Sequence, residues 1–134
     1  MSTRSNIIVK DERNKIQLYR HCDGYPEGVI PDLKEALPFA WELPRMEADD
    51  MAAAIVRAWK QDGGNVYIDG VADLPESLHG DIDYYYVIEP DKEAGRWSVE
   101  CHAYSEGYEK TPTADEVVWR GYIGDDYTCS YGLR

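Results

Sequence analysis

The sequence predicts an α+β domain, in which a mostly antiparallel sheet carries an N-terminal hairpin and one or two helices packed on it. β-type runs stand both before and after one stretch of helical periodicity. The later runs are joined by short links, which are typical of antiparallel neighbours. The chain of 134 residues is long enough for one hydrophobic core. Residues 1–134 are therefore predicted to form a single domain.

The first two β-type runs, SNIIVKD and KIQLYRH, are separated by ERN and predict a hairpin over residues 5–21. Because side chains alternate along a strand, Arg20 and His21 should point to opposite faces of the sheet. Gly24 is expected to end the second strand by adopting a positive φ, and the Tyr-Pro pair that follows blocks further pairing.

Two helices are predicted after this hairpin. Pro31 suits the first turn of a short helix, and Pro38 suits its end. The clearer helix is EADDMAAAIVRAWKQDGG, in which Met51, Ile55 and Trp59 recur at i, i+4 and i+8 as a core stripe. Acidic residues in its first turn favour the positive end of the helix dipole, and the Gly-Gly pair supplies a C-terminal cap.

Four β-type runs follow the clearer helix: NVYID, IDYYYVIE, RWSVECHAY and EVVWRGYI. The segment PDKEAGR predicts a hairpin between the second and third of them. No apolar run reaches the length of a membrane span, and the polar start MSTRSN has no hydrophobic signal region. The sequence therefore predicts a soluble, cytosolic protein.

The composition excludes some classes of function. A formal net charge of −12 disfavours direct binding of nucleic acid, and the acidic excess lies entirely in residues 46–134. The 3 cysteines show no CxxC spacing, which predicts reduced thiols rather than a disulfide framework. The aromatic residues are 11 Tyr, 4 Trp and 1 Phe, and amphipathic rings of this kind favour subunit interfaces.

Metal binding and catalysis have little support in the sequence. The pairs His21-Cys22 and Cys101-His102 look like halves of a zinc site. Adjacent strand residues point to opposite faces, however, so each pair offers one ligand where a structural site needs four. No nucleophile elbow, P-loop or dinucleotide-binding motif is present. We therefore predict no metal, no cofactor, no catalytic residues and no enzymatic activity.

A pocket for an anionic ligand is the functional hypothesis that the side chains favour. Arg120 stands inside an apolar strand, where a lone arginine needs a partner or an anion. Tyrosine rings and Trp97 would add stacking faces to such a pocket. The alternative is that each arginine pairs with one of the many acidic side chains. The pocket hypothesis fails if every one of these arginines is paired in this way and no cavity lies near them. The predicted ligand-binding residues are Arg20, His21, Arg57, Tyr84, Tyr86 and Arg120.

The opposite hypothesis uses the acidic residues. Between Asp69 and Asp91 there are seven acidic side chains and no Lys or Arg. Such a run would imitate the phosphates of duplex DNA, which carries about one negative charge per 1.7 Å of helix axis. The protein would then inhibit a CRISPR or restriction complex as an acidic DNA mimic. An acidic face that only increases solubility is the simpler alternative.

Three segments, STRSNIIVKD, LYRHCDGYPEGVIPDL and LHGDIDYYYVIE, resemble in this order a group of small phage and prophage proteins. The most specific part is Y-R-H-x-D-G-Y-P-x-G, and the resemblance covers about half of the chain. The group is similar to the first family of Thoeris anti-defence proteins. These are phage sponges that bind cyclic ADP-ribose isomers made by TIR-domain enzymes, and in some cases cyclic oligonucleotides, without cleaving them.

This resemblance implies a phage immune-evasion protein that acts in the cytoplasm of an infected bacterial host. It also implies a homo-oligomer, a dimer or hexamer, with pockets near subunit contacts. Cys22 stands where relatives have an aromatic residue, which leaves a stacking role at that position unsupported. A structural phage protein that assembles through its tyrosines is a third alternative. The motif members carried over are Arg20, His21, Asp23, Gly24, Tyr25 and Pro26.

Overall fold

The computed structural model describes residues 3–61, 64–69, 82–104 and 116–127. In these ranges a six-stranded sheet is packed by two α-helices and one 3₁₀ helix, which confirms the predicted α+β class. No helix in the described ranges is long and apolar enough to cross a membrane. The strands are β1 (Ser5–Lys10), β2 (Lys15–Arg20), β3 (Val66–Ile68), β4 (Tyr84–Asp91), β5 (Arg96–Ala103) and β6 (Glu116–Tyr122). The helices are α1 (Pro26–Leu33), the 3₁₀ helix (Lys34–Phe39) and α2 (Ala48–Lys60).

The sheet has the strand order β3-β2-β1-β4-β5-β6. Every neighbouring pair is antiparallel except β1 and β4, which are parallel. The two predicted hairpins, β1–β2 and β4–β5, are confirmed. The parallel pair arises because the chain passes through the helices and β3 before it returns beside β1, and parallel neighbours need such a long connection.

The main core lies between the helices and one face of the sheet, which we call the helix face. The predicted stripe of α2 is buried there, with Met51 and Ile55 fully buried and Trp59 almost so. The strands contribute every second residue to this face, as the two-residue period of a strand requires. Those contributions are Ile7, Val9, Leu18, Tyr86, Ile88, Trp97, Val99 and Cys101.

A second, smaller cluster lies on the opposite face of the sheet, around Ile8, Tyr19 and Tyr85. Two fully buried amides stand beside it. The side-chain nitrogens of Asn6 and Gln17 donate hydrogen bonds to Asp69, at 3.1 and 3.0 Å. Buried amides need such partners, because an unpaired buried polar group is costly. The carboxylate of Asp69 is therefore part of the fold at this face.

Helix α1 begins at Pro26, five residues before the predicted start. Pro26 occupies the first position of the helix, where its missing N–H costs nothing and its φ is already helical. Pro31 lies inside the helix, so its ring removes a hydrogen bond there. The 3₁₀ helix then runs past Pro38 to Phe39, one residue beyond the predicted end.

The corner after β2 differs from the prediction in which residue takes the positive φ. Asp23 adopts it, at 56°, and not Gly24. Gly24 is required for a different reason: a Cβ at this position would lie 2.8 Å from both Ser5 Oγ and Thr3 O. The backbone N–H of Gly24 donates to Thr3 O at 2.9 Å, so the corner packs directly against the start of β1.

Candidate ligand groove

Arg20 is buried beneath the helices rather than at a pocket rim, with 4% of its surface exposed. Its Nη2 donates to Asp32 Oδ2 at 2.7 Å, and its Nε donates to Cys22 O at 3.0 Å. The guanidinium also lies 4.4 Å from the ring centroid of Trp59. These contacts join the corner after β2 to α1 and α2. The charge of Arg20 is therefore paired within the fold and is not presented to a ligand.

His21 is exposed on the side of the sheet opposite the helix face, as the alternation of side chains along β2 predicts. Its Nδ1 lies 3.1 Å from the hydroxyl of Tyr19. The backbone N–H groups of His21 and Cys22 both donate to Asn65 Oδ1, and Asn65 Nδ2 donates back to Cys22 O at 2.8 Å. The YRH segment thus forms a hydrogen-bonded corner, and only the imidazole of His21 faces outward.

Tyr84 and Tyr86 lie on the helix face at the end of the sheet that carries Arg20. Tyr84 is half-buried and pairs with Ser5, which also pairs with Arg20 across β1. Tyr86 is fully buried, and its hydroxyl donates to Gly24 O at 2.7 Å. Burial raises the pKa of Tyr86 well above its ordinary value. Tyr86 therefore supports the corner and presents no ring face to a ligand.

Arg57 and Arg120 lie on opposite sides of the sheet. Arg57 is exposed on α2 with its guanidinium carbon 4.2 Å from the Phe39 ring centroid, and it bonds no carboxylate of the described residues. Arg120 is 70% exposed and donates to Glu100 Oε2 at 2.7 Å. The six predicted residues therefore do not converge on one hollow within a single chain. Arg20 and Arg120 each pair with a carboxylate, whereas Arg57 pairs with none in the part of the chain that the structure describes.

A hollow of about 320 Å³ adjoins Arg120 on the opposite face of the sheet. Glu89 and Glu100 line it together with Arg120. Glu100 bridges His102 and Arg120, and the hydrogen bond from Arg120 is the largest cause of its lowered pKa. Two acidic side chains beside one guanidinium disfavour an anion, so this hollow is the weaker candidate.

A groove of about 380 Å³ opens on the helix side, between the segment after the 3₁₀ helix and the start of β5. Its floor is formed by Met46, Trp97 and Ile123, which are almost fully buried. One wall carries Trp41 and Leu43, which are 45% and 50% exposed. Large apolar side chains left in water around a concave surface are typical of a binding site. We call this feature the Trp41 groove.

One arginine, Arg96, lines the Trp41 groove, and a second, Arg45, contacts the ring of Trp41; each lies over an aromatic ring. Arg96 Nη2 donates to Asp125 Oδ1 at 2.6 Å, and its guanidinium carbon lies 4.5 Å from the ring centroid of Tyr122. Arg45 lies over the ring of Trp41 at 4.2 Å and pairs with a neighbouring glutamate. The groove thus combines aromatic surface with the guanidinium group of Arg96 at its edge.

Of the groove residues, the sequence indicated only Trp97, as a stacking residue. Trp41 and Leu43 belong to PFAWELPRM, which has neither strand nor helix periodicity and so gave no signal. Leu37, in the 3₁₀ helix, is also exposed at the groove. The available signal was the presence of large apolar residues between prolines in an irregular segment.

Of the seven acidic residues from Asp69 to Asp91, three lie in residues 70–81, outside the described ranges, and four lie inside them. Two described acids of that run are engaged within the fold. Asp69 accepts the amides of Asn6 and Gln17, and Asp91 Oδ2 accepts the hydroxyl of Tyr122 at 2.9 Å. These two carboxylates are therefore poorly placed to imitate phosphates.

Potential nucleophiles and metal ligands are dispersed over the described residues. No group of three or more His, Cys, Asp or Glu side chains there is arranged to hold a metal ion. Cys101 is buried on the helix face, and burial is the main cause that raises the pKa of its thiol to about 12. A thiol with this pKa stays protonated at neutral pH and is a poor nucleophile.

Comparison with known proteins supplied no relative. A scan of protein-family models, a search of curated proteins and a search of solved structures each found no significant match to this chain. The similarity of the YRHCDGYPEG segment to anti-defence sponges therefore remains a prediction that these comparisons do not test.

Proposed function

We propose that this protein binds a small cyclic nucleotide signal, of the cyclic ADP-ribose or cyclic oligonucleotide type, and holds it without cleaving it. In this proposal it is a phage anti-defence protein that acts in the cytoplasm of an infected bacterial host. The observation that carries the proposal is the Trp41 groove, which sets exposed aromatic surface beside a guanidinium group. The motif resemblance supplies the class of ligand.

The dimensions of the groove suit one heteroaromatic base. Small-molecule sites typically enclose 300–1,000 Å³ and combine apolar walls with few polar groups, and the groove volume of about 380 Å³ lies in that range. Stacking of a base on an aromatic ring contributes about 1–3 kcal/mol to binding. Trp41 would provide this stacking surface, while the ribose and phosphate groups would extend toward the groove edge at Arg96.

The negative net charge is compatible with capture of an anion. The Debye length is about 8 Å at physiological ionic strength, so carboxylates on distant surfaces are largely screened from the groove. The arginine at the groove edge acts at short range, where screening is weaker. The charge of −12 therefore slows the approach of an anionic ligand more than it weakens the bound state.

Binding without turnover is supported by the state of the candidate catalytic groups. Cys101 is buried with a raised pKa, as described above. His102 is bonded to Glu100, and His21 is bonded to the hydroxyl of Tyr19. Both imidazoles are thus engaged in hydrogen bonds within the fold. We accordingly assign no catalytic role to these residues.

The proposal includes assembly into a homo-oligomer, a dimer or a hexamer. Arg57 and Arg120 lie on opposite sides of the sheet and do not line the Trp41 groove of their own chain. In an oligomer, either arginine would be able to approach the groove of a neighbouring copy. Light scattering after size-exclusion chromatography measures the mass, and a monomeric mass would remove this part of the proposal.

Calorimetric titration with cyclic ADP-ribose isomers tests the proposal. We expect saturable binding, and recovery of intact ligand when the protein is heated and the supernatant is examined by mass spectrometry. Trp41→Ala should weaken binding at least about tenfold, since it removes the stacking face. Tyr67→Ala is the matched control, because Tyr67 is similarly exposed but lies on β3 away from the groove. Arg57→Ala and Arg120→Ala test the predicted arginines separately.

Three results would contradict the proposal: no binding of any cyclic nucleotide, hydrolysed ligand in the supernatant, or equal affinity in the wild type and Trp41→Ala. The acidic DNA-mimic alternative predicts a different set of results. In that case a basic nucleic-acid-binding protein would be retained at low salt and released at high salt, and nucleotides would not bind.

A further inference from the structure

We propose that Arg96 is the anion-binding residue of the Trp41 groove and that Asp125 lowers the affinity of the groove for anions by competing for the same guanidinium group. The ligand class that this geometry selects is a planar heteroaromatic ring with a negatively charged substituent. The inference rests on the proposed function only in taking the Trp41 groove as the ligand site.

Arg96 is oriented before any ligand arrives. It begins β5, directly before the floor residue Trp97, and its guanidinium lies over the face of Tyr122. One nitrogen, Nη2, bonds Asp125, and the other guanidinium N–H groups bond no described residue. With 43% of its side chain exposed, Arg96 presents these other donors at the groove edge. Two parallel N–H groups of one guanidinium can donate paired hydrogen bonds to a carboxylate or a phosphate.

Asp125 has two functions in this arrangement. Its Oδ2 accepts the backbone N–H of Tyr122 at 2.8 Å and closes the turn after β6. Its Oδ1 accepts from Arg96 at 2.6 Å and partly neutralises that guanidinium. The bond from Arg96 is the largest cause of the lowered pKa of Asp125, so the carboxylate is ionised at neutral pH. An incoming anion therefore competes with Asp125 for the guanidinium group of Arg96.

The other charged groups at the groove place the anion at the Arg96 edge. Glu42 lines the groove and is exposed, so it repels an anion from its own side. Arg45 lies over one face of the Trp41 ring and is paired with Glu47 at 3.2 Å. The ring of the ligand would lie in the apolar part of the groove, with its anionic substituent next to Arg96.

Adenosine and adenosine monophosphate (AMP) are a suitable pair of probes, since they share a ring and differ in charge. Binding of both is measured by calorimetry at low ionic strength in the wild type, Arg96→Gln and Asp125→Asn. Arg96→Gln should weaken AMP about tenfold, which is the loss of about 1.4 kcal/mol. Asp125→Asn should strengthen AMP about threefold, because the amide retains an acceptor for the Tyr122 N–H but carries no charge. Adenosine should bind all three proteins equally.

The adenosine measurement reports whether each variant keeps its fold and its groove, and Arg13→Gln serves as a charge-matched control away from the groove. The anion-binding role of Arg96 is refuted if AMP binds Arg96→Gln as tightly as the wild type, or if the wild type binds AMP no more tightly than adenosine. The competing role of Asp125 is refuted if Asp125→Asn binds AMP equally or more weakly. Failure of cyclic nucleotides to bind, with these AMP effects present, would refute the proposed function alone.

Discussion

Arg20 shows how one side chain can have a different role from the one its position in the sequence indicates. It ends β2 just before a corner, where exposed polar residues are common. In the fold its guanidinium lies over the ring of Trp59 and donates hydrogen bonds to the carboxylate of Asp32 and to the carbonyl of Cys22. A buried charge that satisfies three partners is a structural element, because removal of the charge leaves those partners unmatched.

Arg20→Ala should therefore lower the free energy of unfolding by about 2 kcal/mol or more, through loss of a buried, charge-assisted hydrogen bond and of packing on Trp59. Urea denaturation followed by tryptophan fluorescence measures this change. Arg13→Ala is the matched control and should stay within about 0.5 kcal/mol of the wild type, since Arg13 is exposed in the β1–β2 turn. A loss below about 0.5 kcal/mol for Arg20→Ala would show that Arg20 is not needed for stability.

The start of α2 depends on a residue from another element. Glu47, the residue before the helix, makes no capping hydrogen bond with its side chain. Instead, Asp11 in the β1–β2 turn accepts the backbone N–H of Ala48 at 2.7 Å. The same carboxylate accepts the N–H groups of Arg13 and Asn14, both at 2.8 Å. One side chain thus closes the hairpin turn and fixes the helix end beside it.

Asp11→Ala should lower the free energy of unfolding by about 1 kcal/mol at neutral pH, as expected for loss of a helix cap. Partial burial raises the pKa of Asp11, but the backbone hydrogen bonds, led by Ala48, outweigh it and leave the pKa below the ordinary value. The stabilisation is therefore complete above the unfolded pKa of about 3.9 and is lost as the pH falls through the lower folded value.

Thermal unfolding of the wild type and Asp11→Ala between pH 7 and pH 2.5 measures this dependence. The difference in melting temperature should be constant at neutral pH and should shrink below about pH 4. Glu12→Ala is the control, because Glu12 is exposed in the same turn. A difference that grows as the pH falls would contradict the assigned role of Asp11.

The charge of the complete chain affects binding mainly through the rate of association. A body of net charge −12 repels an anionic nucleotide over distances comparable to the Debye length, which is about 30 Å at 0.01 M salt and about 8 Å at 0.15 M. If the proposed function holds, the association rate constant should rise with salt over this range. Stopped-flow measurement of tryptophan fluorescence detects it, since Trp41 and Trp97 line the groove.

The acidic DNA-mimic alternative predicts the opposite salt dependence of the association rate constant. Association of a negatively charged protein with a basic protein is accelerated by attraction, so its rate constant should fall steeply as salt is added.

Uncharged adenosine is the control for the nucleotide measurement, and its association rate should not change with salt. A rate constant for AMP that falls with salt would show that local attraction by Arg96 exceeds the repulsion of the whole chain.

Local patterns were sufficient to predict the two hairpins and helix α2. Period-two alternation and the i, i+4, i+8 spacing of Met51, Ile55 and Trp59 record which face of each element is buried, and burial of that face is what stabilises it. These features depend on residues close together in the chain, so a reader of the sequence can recognise them.

The parallel pairing of β1 with β4, the burial of Arg20 and the Trp41 groove needed the folded structure. Each depends on the packing of segments that are distant in the sequence, and no local periodicity records where such segments meet. The groove takes one wall from the irregular segment around Trp41 and its charged edge from Arg96 at the start of β5. Packing also decided which carboxylate each arginine meets, namely Asp32 for Arg20, Asp125 for Arg96 and Glu100 for Arg120.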